Sequence, residues 1–319
     1  MALTSGNNAK ENEPIDLLSL GKQDFLSHIS KIHKDAINSK YEECEIIRLK
    51  YNSNISPVLL ETQYKIISSL SIQIHPIPNT ILRSALFAVS KRGQRKLFND
   101  KKIVSWKGTT IIYSGESLDQ SDLKVWMHLV KSVLPQLFKP GDDSPLYWAS
   151  SLDMLKNIRK TSGGKGDREW LTRSLNRLTK NNIHIDDGKE VYNGGLILKS
   201  THNKYKDTWE IRISRKLGNL FSHNYWTGID KACRDLLHGQ LTMWAMAFFK
   251  SHRGPTFRIN LTKLLALSGS ASHLKKFRLQ LDRNVLPELE KYKIIKDHII
   301  VRTSKKRETL EYLLTITYP

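Results

Sequence analysis

The sequence predicts an α+β protein of two tandem winged-helix domains behind an N-terminal, partly helical extension. Three observations carry this. The order short helix, turn, longer helix, β-hairpin occurs twice. In both copies the longer helix has one apolar face and one face rich in cations. The chain is also strongly basic, with 51 Lys+Arg against 31 Asp+Glu and a formal charge of +20. Such a surplus fits a polyanionic partner, most often nucleic acid. RNA or an acidic membrane surface would also attract it, so the placement of the charge has to decide.

The 319 residues suffice for about two domains. Hydrophobic residues make up 39%, enough for packed cores. No run reaches the roughly 20 apolar residues of a membrane span. The opening MALTSGNNAKENEP is polar, unlike a secretory signal, and a cytoplasmic location is expected. Cys44 and Cys233 are too few and too far apart for a disulfide framework or a structural zinc site.

Along the chain, residues 1–14 read as a flexible tail and 15–78 as a helical extension and linker. In the extension Leu17, Leu20, Phe25, Ile29 and Ile32 recur at near-helical spacing. Pro76 and Pro78 mark entry into the first winged-helix domain, 79–220. There Ile103–Trp106 and Thr109–Tyr113 suggest a hairpin turning at Lys107-Gly108. Asp119 or Ser121 can cap the next helix, whose apolar stripe is Leu123, Trp126, Leu129, Val130 and Val133. Ser151–Ile158 is a short helix and 161–166 a Gly-rich turn. Asp167 is placed to cap a helix over Arg168–Asn181. Strands are expected at Ile183–Ile185, Gly194–Ser200 and Thr208–Ser214, with Thr201–Asp207 as a polar, basic wing tip.

The second domain, 221–319, repeats the order. Gln240–Ser251 is an apolar helix stopped by Gly254 and Pro255. Phe257–Asn260 is a strand, Thr262–Leu267 a short helix, and a long helix runs from His273, interrupted near Pro287. Ile294–Ile295 and Ile299–Arg302 flank a turn, and Leu310–Thr317 returns as a strand.

The long helices are the candidate DNA readers. At about 100° per residue, Leu171, Leu175 and Leu178 share one side of the first. Glu169, Arg173, Asn176 and Lys180 fall opposite, Thr172 and Arg177 flank them, and Lys165 and Arg168 stand at the N-terminal end. Arg can bond guanine O6 and N7 together, Asn can do the same for adenine, and Glu can accept from cytosine. On the second helix Leu274, Phe277, Leu281 and Val285 take the core spacing. Ser272, Lys275, Lys276, Leu279 and Arg283 project outward, with Arg278 at the edge. A lysine ammonium is a flexible point charge, so Lys275 and Lys276 suit phosphate contacts. The basic run 303–307, with Lys305 and Lys306, suits a second wing on the backbone.

Enzyme chemistry finds little support. A nicking protein needs paired metal-binding histidines and a nucleophilic tyrosine, and no H-x-H occurs. His184 stands alone between aliphatics, as a satisfied strand histidine would. TSGGKGD lacks the G-x-x-x-x-G-K-[ST] of a phosphate loop. No enzymatic activity, cofactor or metal is expected.

Several segments resemble the TrfA-type plasmid replication initiators, in the same order along the chain. They are PNTILRSALF, then TIIYSGESLDQSDLKVW with its D-x-x-V-W pattern, the SHRGP stop, and HLKKFR. The resemblance spans about Pro78 to Val301, and its first segment is the most specific. It implies an iteron-binding initiator in the bacterial cytoplasm, associated with plasmid or nucleoid. Such a protein binds direct repeats in double-stranded origin DNA, opens an AT-rich region and has a part in copy-number control. Implied partners are the host replicative helicase and host initiator, a second copy in dimer–monomer exchange, and the sliding clamp. Candidate clamp peptides are Leu17–Leu20 and Gln136–Phe138, although such triplets occur by chance and core packing is the better account of each. The alternative reading is a winged-helix repressor that occludes a promoter without melting DNA.

Overall fold

The structure of the protein, a computed structural model, describes residues 73–90, 95–137, 144–158, 163–189, 191–252, 254–303 and 311–319. The predicted tail, nearly all of the predicted extension, Cys44 and the Leu17–Leu20 peptide lie outside the described residues, as do Lys305 and Lys306.

The fold is α+β, with small sheets and helices over one continuous apolar core. Strand β1 (Ile74–Pro78) leads into the short helix α1 (Asn79–Leu82). Strands β2 (Phe87–Ala88) and β5 (Leu118–Asp119) pair in parallel, and β3 (Leu97–Ile103) and β4 (Thr110–Glu116) form the expected hairpin. The first strand of that hairpin lies earlier than predicted. Only Ile103 of β3 is buried, so its sequence shows no alternation.

Helix α2 (Gln120–Leu137) is capped by Asp119, whose carboxylate accepts from the amides of Ser121 (2.8 Å) and Asp122 (3.2 Å). All five residues of its predicted stripe are buried. So is Leu137 of the candidate clamp peptide Gln136–Phe138, while Gln136 is exposed and Phe138 lies outside the described residues.

The first helix-turn-helix follows. Strand β6 (Leu146–Ser150) runs into α3 (Ser151–Asn157), where the Ser150 hydroxyl accepts from the Asp153 amide. Helix α4 (Lys165–Thr179) begins three residues before the predicted start. Gly164, not Asp167, is its N-cap, and Asp167 lies in the first turn. After α4 come β7 (Asn181–Asp186) and β8 (Val191–Gly194), which join the hairpin in a sheet ordered β3-β4-β7-β8. The inner face of that sheet carries Ile103, Ile111, Tyr113, Ile183, Ile185 and Tyr192, all buried. The predicted strand Gly194–Ser200 is therefore two strands, because β8 ends at Gly194 and β9 (Lys199–Asn203) starts five residues later. With β10 (Thr208–Arg212), the wing sheet has the order β6-β10-β9. A 3-10 segment, Arg215–Asn224, leads out of the first copy.

The second copy opens with β11 (Trp226–Asp230), α5 (Lys231–Leu236) and the apolar α6 (Gln240–Lys250). Then come β12 (Thr256–Asn260) and α7 (Leu261–Ser268), ended by Gly269 at φ +64. Helix α8 (Leu274–Gln280) passes through a π turn, Leu281–Val285, into α9 (Leu286–Lys291). That turn is the predicted interruption. Pro287 has no N–H to donate back along the helix, and one wider turn accommodates it. Strands β13 (Asp297–Arg302) and β14 (Tyr312–Thr317) close a sheet ordered β12-β14-β13. Ile294–Ile295 is not a strand; both side chains are buried just ahead of β13.

In each copy the strand before the helix pair lies beside the last strand, and the last two strands make the wing. This is a winged-helix topology occurring twice, with β7–β8 inserted in the first copy. The leading strands β1 and β11 pair antiparallel, from Ile74↔Asp230 to Pro78↔Trp226. Pro76 and Pro78 therefore sit in a strand rather than in a linker. A two-stranded ladder tolerates them because each strand is an edge.

Candidate nucleic-acid interface

Helix α4 presents its residues largely as the wheel requires. Leu171, Leu175 and Leu178 are fully buried, while Glu169, Arg173, Asn176 and Lys180 are exposed. Arg173 lies 3.7 Å from Glu169 one turn earlier, a solvent-exposed pair of little energetic weight. Lys165 is exposed at the N-terminus. Thr172 is half-buried, and its hydroxyl donates to the Arg168 carbonyl (2.9 Å).

Arg168 is tied to the wing. Its Nε is 3.0 Å from the Asp207 carboxylate. Asp207 also accepts from the Ser151 hydroxyl (2.6 Å) and contacts His202 Nε2 (3.1 Å). Burial opposes ionisation of this carboxyl, but the bonds from Ser151 and His202 and the charge of Arg168 outweigh it and hold the pKa below the usual value. One residue thus joins α3, α4 and the wing strands β9 and β10. The wing tip beyond it carries Lys204, Tyr205 and Lys206, all exposed. These three were not among the predicted contacts, although their basic connector was legible as a wing.

Arg177 corrects the wheel. It is 9% exposed and points into the molecule, where Nη2 lies 2.8 Å from Asp122. Burial alone would lower its pKa, but the hydrogen bond and charge of Asp122 leave it raised. An arginine at the edge of a reading face was read as a DNA contact, but a fully buried carboxylate on α2 claims it.

On the second copy Phe277, Leu281 and Val285 are buried and Leu274 half-buried, as the spacing requires. Lys275, Lys276, Leu279 and Arg283 are exposed, and Ser272 is half-buried at the turn before α8. Arg278 turns toward β14, with its guanidinium 5.1 Å from the centre of the Tyr312 ring. It is half-buried and packs on its own wing sheet.

Other chemistry is sparse among the described residues. His184 is satisfied by Asn193 (2.6 Å). Cys233 is a free, half-buried thiol. Glu290, Asp297 and His298 bring ligand atoms within 4.8 Å of one another. His298 Nδ1 already bonds Glu290 at 2.7 Å, which accounts for part of that closeness without an ion. No described helix is long and apolar enough to cross a membrane.

No protein-family model matches the sequence, and no curated protein matches it. Solved structures do. This chain is similar to crystal structures of RctB and of the Pi initiator protein. Domains 2 and 3 of RctB match at TM-score 0.49 and 14% identity, over 76% of this chain and 98% of that one. A second structure of the same domains matches at TM-score 0.44 and 11% identity, over 73% and 95%. The Pi initiator protein in complex with iteron DNA matches at TM-score 0.40 and 11% identity, over 70% and 99%.

Proposed function

We propose that this protein initiates plasmid DNA replication by binding direct repeats, or iterons, in double-stranded origin DNA. The observation that carries the reading is the duplicated topology. The units β6–α3–α4–β9–β10 and β12–α7–α8–β13–β14 each hold a helix with exposed cations over an apolar floor. Two such helices on one chain suit a site that spans more than one groove segment. Lys275, Lys276, Lys180 and Lys165 supply attraction independent of sequence. Arg173, Asn176 and Glu169 have the donor and acceptor patterns that distinguish base edges.

The role is binding rather than catalysis. Binding energy at the repeats favours opening of an adjacent AT-rich region, where the host initiator and replicative helicase are recruited. The TrfA-type assignment, the part in copy-number control and the exchange between dimer and DNA-binding monomer rest on the resemblance of the segments between Pro78 and Val301. The candidate peptides for the sliding clamp are Leu17–Leu20 and Gln136–Phe138. The domain limits proposed are 79–220 and 221–319.

The test is a protection footprint on the DNA flanking the gene, with permanganate reactivity read beside it. Protection of several in-phase repeats with reactive thymines alongside supports an initiator. A single protected palindrome without reactive thymines supports the repressor reading instead. No protected sequence at all would remove both.

A further inference from the structure

The D-x-x-V-W pattern of α2 begins at a fully buried acid, Asp122. Val125 and Trp126 are fully buried apolar residues, and core packing explains them. A buried carboxylate needs a different reason, because burying a charge is costly unless it is paired and hydrogen-bonded. Asp122 is paired on two sides. Arg95 Nη1 reaches it at 2.9 Å. From α4, the Ser174 hydroxyl donates to it at 2.6 Å and Arg177 donates through Nη2 at 2.8 Å and Nε at 3.2 Å.

Ser174 and Arg177 are three residues apart, so they lie about one helical turn apart on the side of α4 facing α2. Ser174 is fully buried, so its hydroxyl is out of reach of DNA. The leucine floor of α4 resists separation from the core, but apolar contact is non-directional and opposes rotation weakly. Hydrogen bonds are directional. Rotating α4 by about 20° would carry a side chain at its surface, about 6 Å from the axis, through about 2 Å. That exceeds the roughly 0.5 Å tolerance within which a binding constellation works.

The fixture continues beyond α4. Arg95 also pairs with Asp119 at 2.7 Å, and the same Asp119 oxygen accepts from Gln240 at the start of α6 (3.2 Å). One network therefore ties the first reading helix, the start of α2 and the second copy.

We infer that Asp122 is a specificity-determining positioning residue, which sets the rotation of α4 through Ser174 and Arg177 and never touches DNA. This rests on the proposed DNA-binding role of α4. The orientation it fixes governs base discrimination at the positions α4 reads, whereas phosphate attraction tolerates a rotated helix.

The experiment uses the full chain and duplexes enriched by the wild type from a random-sequence pool, with a scrambled duplex as reference. Arg173→Ala marks the base positions that α4 reads. Asp122→Asn keeps the size of the side chain and removes its charge. It should lower discrimination at those positions about tenfold, roughly the cost of one mismatched base pair. Preference at the second helix's positions, affinity for the scrambled duplex and the salt slope should stay at wild-type values. Destabilisation alone would weaken both duplexes alike and leave the preferences in place. Ser174→Ala should shift the same positions by less, and it carries the test if Asp122→Asn does not fold. Folded variants with wild-type preference at every position would overturn the inference. A wild type that enriches no sequence would instead overturn the DNA-reading role, and this inference with it.

Discussion

Arg173 and Arg177 stand one turn apart on α4, but only Arg177 should carry a large share of the stability. Arg177 is 9% exposed and holds the fully buried Asp122. Replacing it with Met removes one partner, but Asp122 keeps Arg95 at 2.9 Å and Ser174 at 2.6 Å. Breaking a buried pair costs about 3–5 kcal/mol when the remaining charge has no partner. With two partners retained, the cost of Arg177→Met should be roughly 2–3 kcal/mol. Asp122→Ala leaves Arg177 with Glu116 at 4.0 Å, so it should cost the full range, about 3–5 kcal/mol. The side chain of Arg173 is 61% exposed, and Arg173→Ala should change stability by less than about 0.5 kcal/mol. It should instead weaken specific binding by about 1–3 kcal/mol and relax choice at one base position. Urea unfolding reads the first quantity, and fluorescence anisotropy with wild-type-selected and scrambled duplexes reads the second. The reasoning is refuted if Arg177→Met keeps the wild-type midpoint, or if Arg173→Ala unfolds the protein and leaves selectivity intact.

Three further outcomes are expected. Lys275→Ala with Lys276→Ala should flatten the log–log salt dependence of binding by up to about 2, one counterion contact for each lysine; an unchanged slope removes both from the interface. Leu175→Ala should destabilise the first copy by about 2–5 kcal/mol through a core cavity, and a wild-type urea midpoint would contradict its burial. Stability should also fall in acid. Burial is the main cause that holds His75, His128 and His252 down at about 4, against 6.5 for an ordinary histidine. Between about 6.5 and about 4 the unfolded chain binds more protons than the folded one, so stability drops as pH falls through that window, by up to roughly 3 kcal/mol per histidine. A melting temperature that is flat from pH 7 to about 4.5 would count against it.

The legible elements were those with a strong period. The stripe of α2, the leucine floor of α4 and the apolar α6 all carry their burial in their spacing. The start of α4 was misplaced because Gly164 leaves no capping side chain to recognise, while Asp167 looks like a cap. Strand β3 was shifted because most of its residues face solvent and mask the alternation. The pairing of β1 with β11 joins segments about 150 residues apart, and local pattern cannot reveal such a contact. The outward row of α4 was readable from the wheel. Arg177 was not, because a wheel shows which way a side chain points but not that Asp122, 55 positions earlier, waits there. The wing lysines at 204 and 206 could have been named from the same basic connector that marked the wing.

The most direct test of the central claim is a hydroxyl-radical footprint of the full chain on a wild-type-selected duplex, repeated with Arg173→Ala and with Lys275→Ala/Lys276→Ala. Two cationic helices on one chain predict two protected backbone segments about one duplex turn, roughly 10 base pairs, apart. The first variant should weaken one segment and the lysine pair the other. A single protected segment, or one that both variants erase together, would contradict the duplicated reading surface.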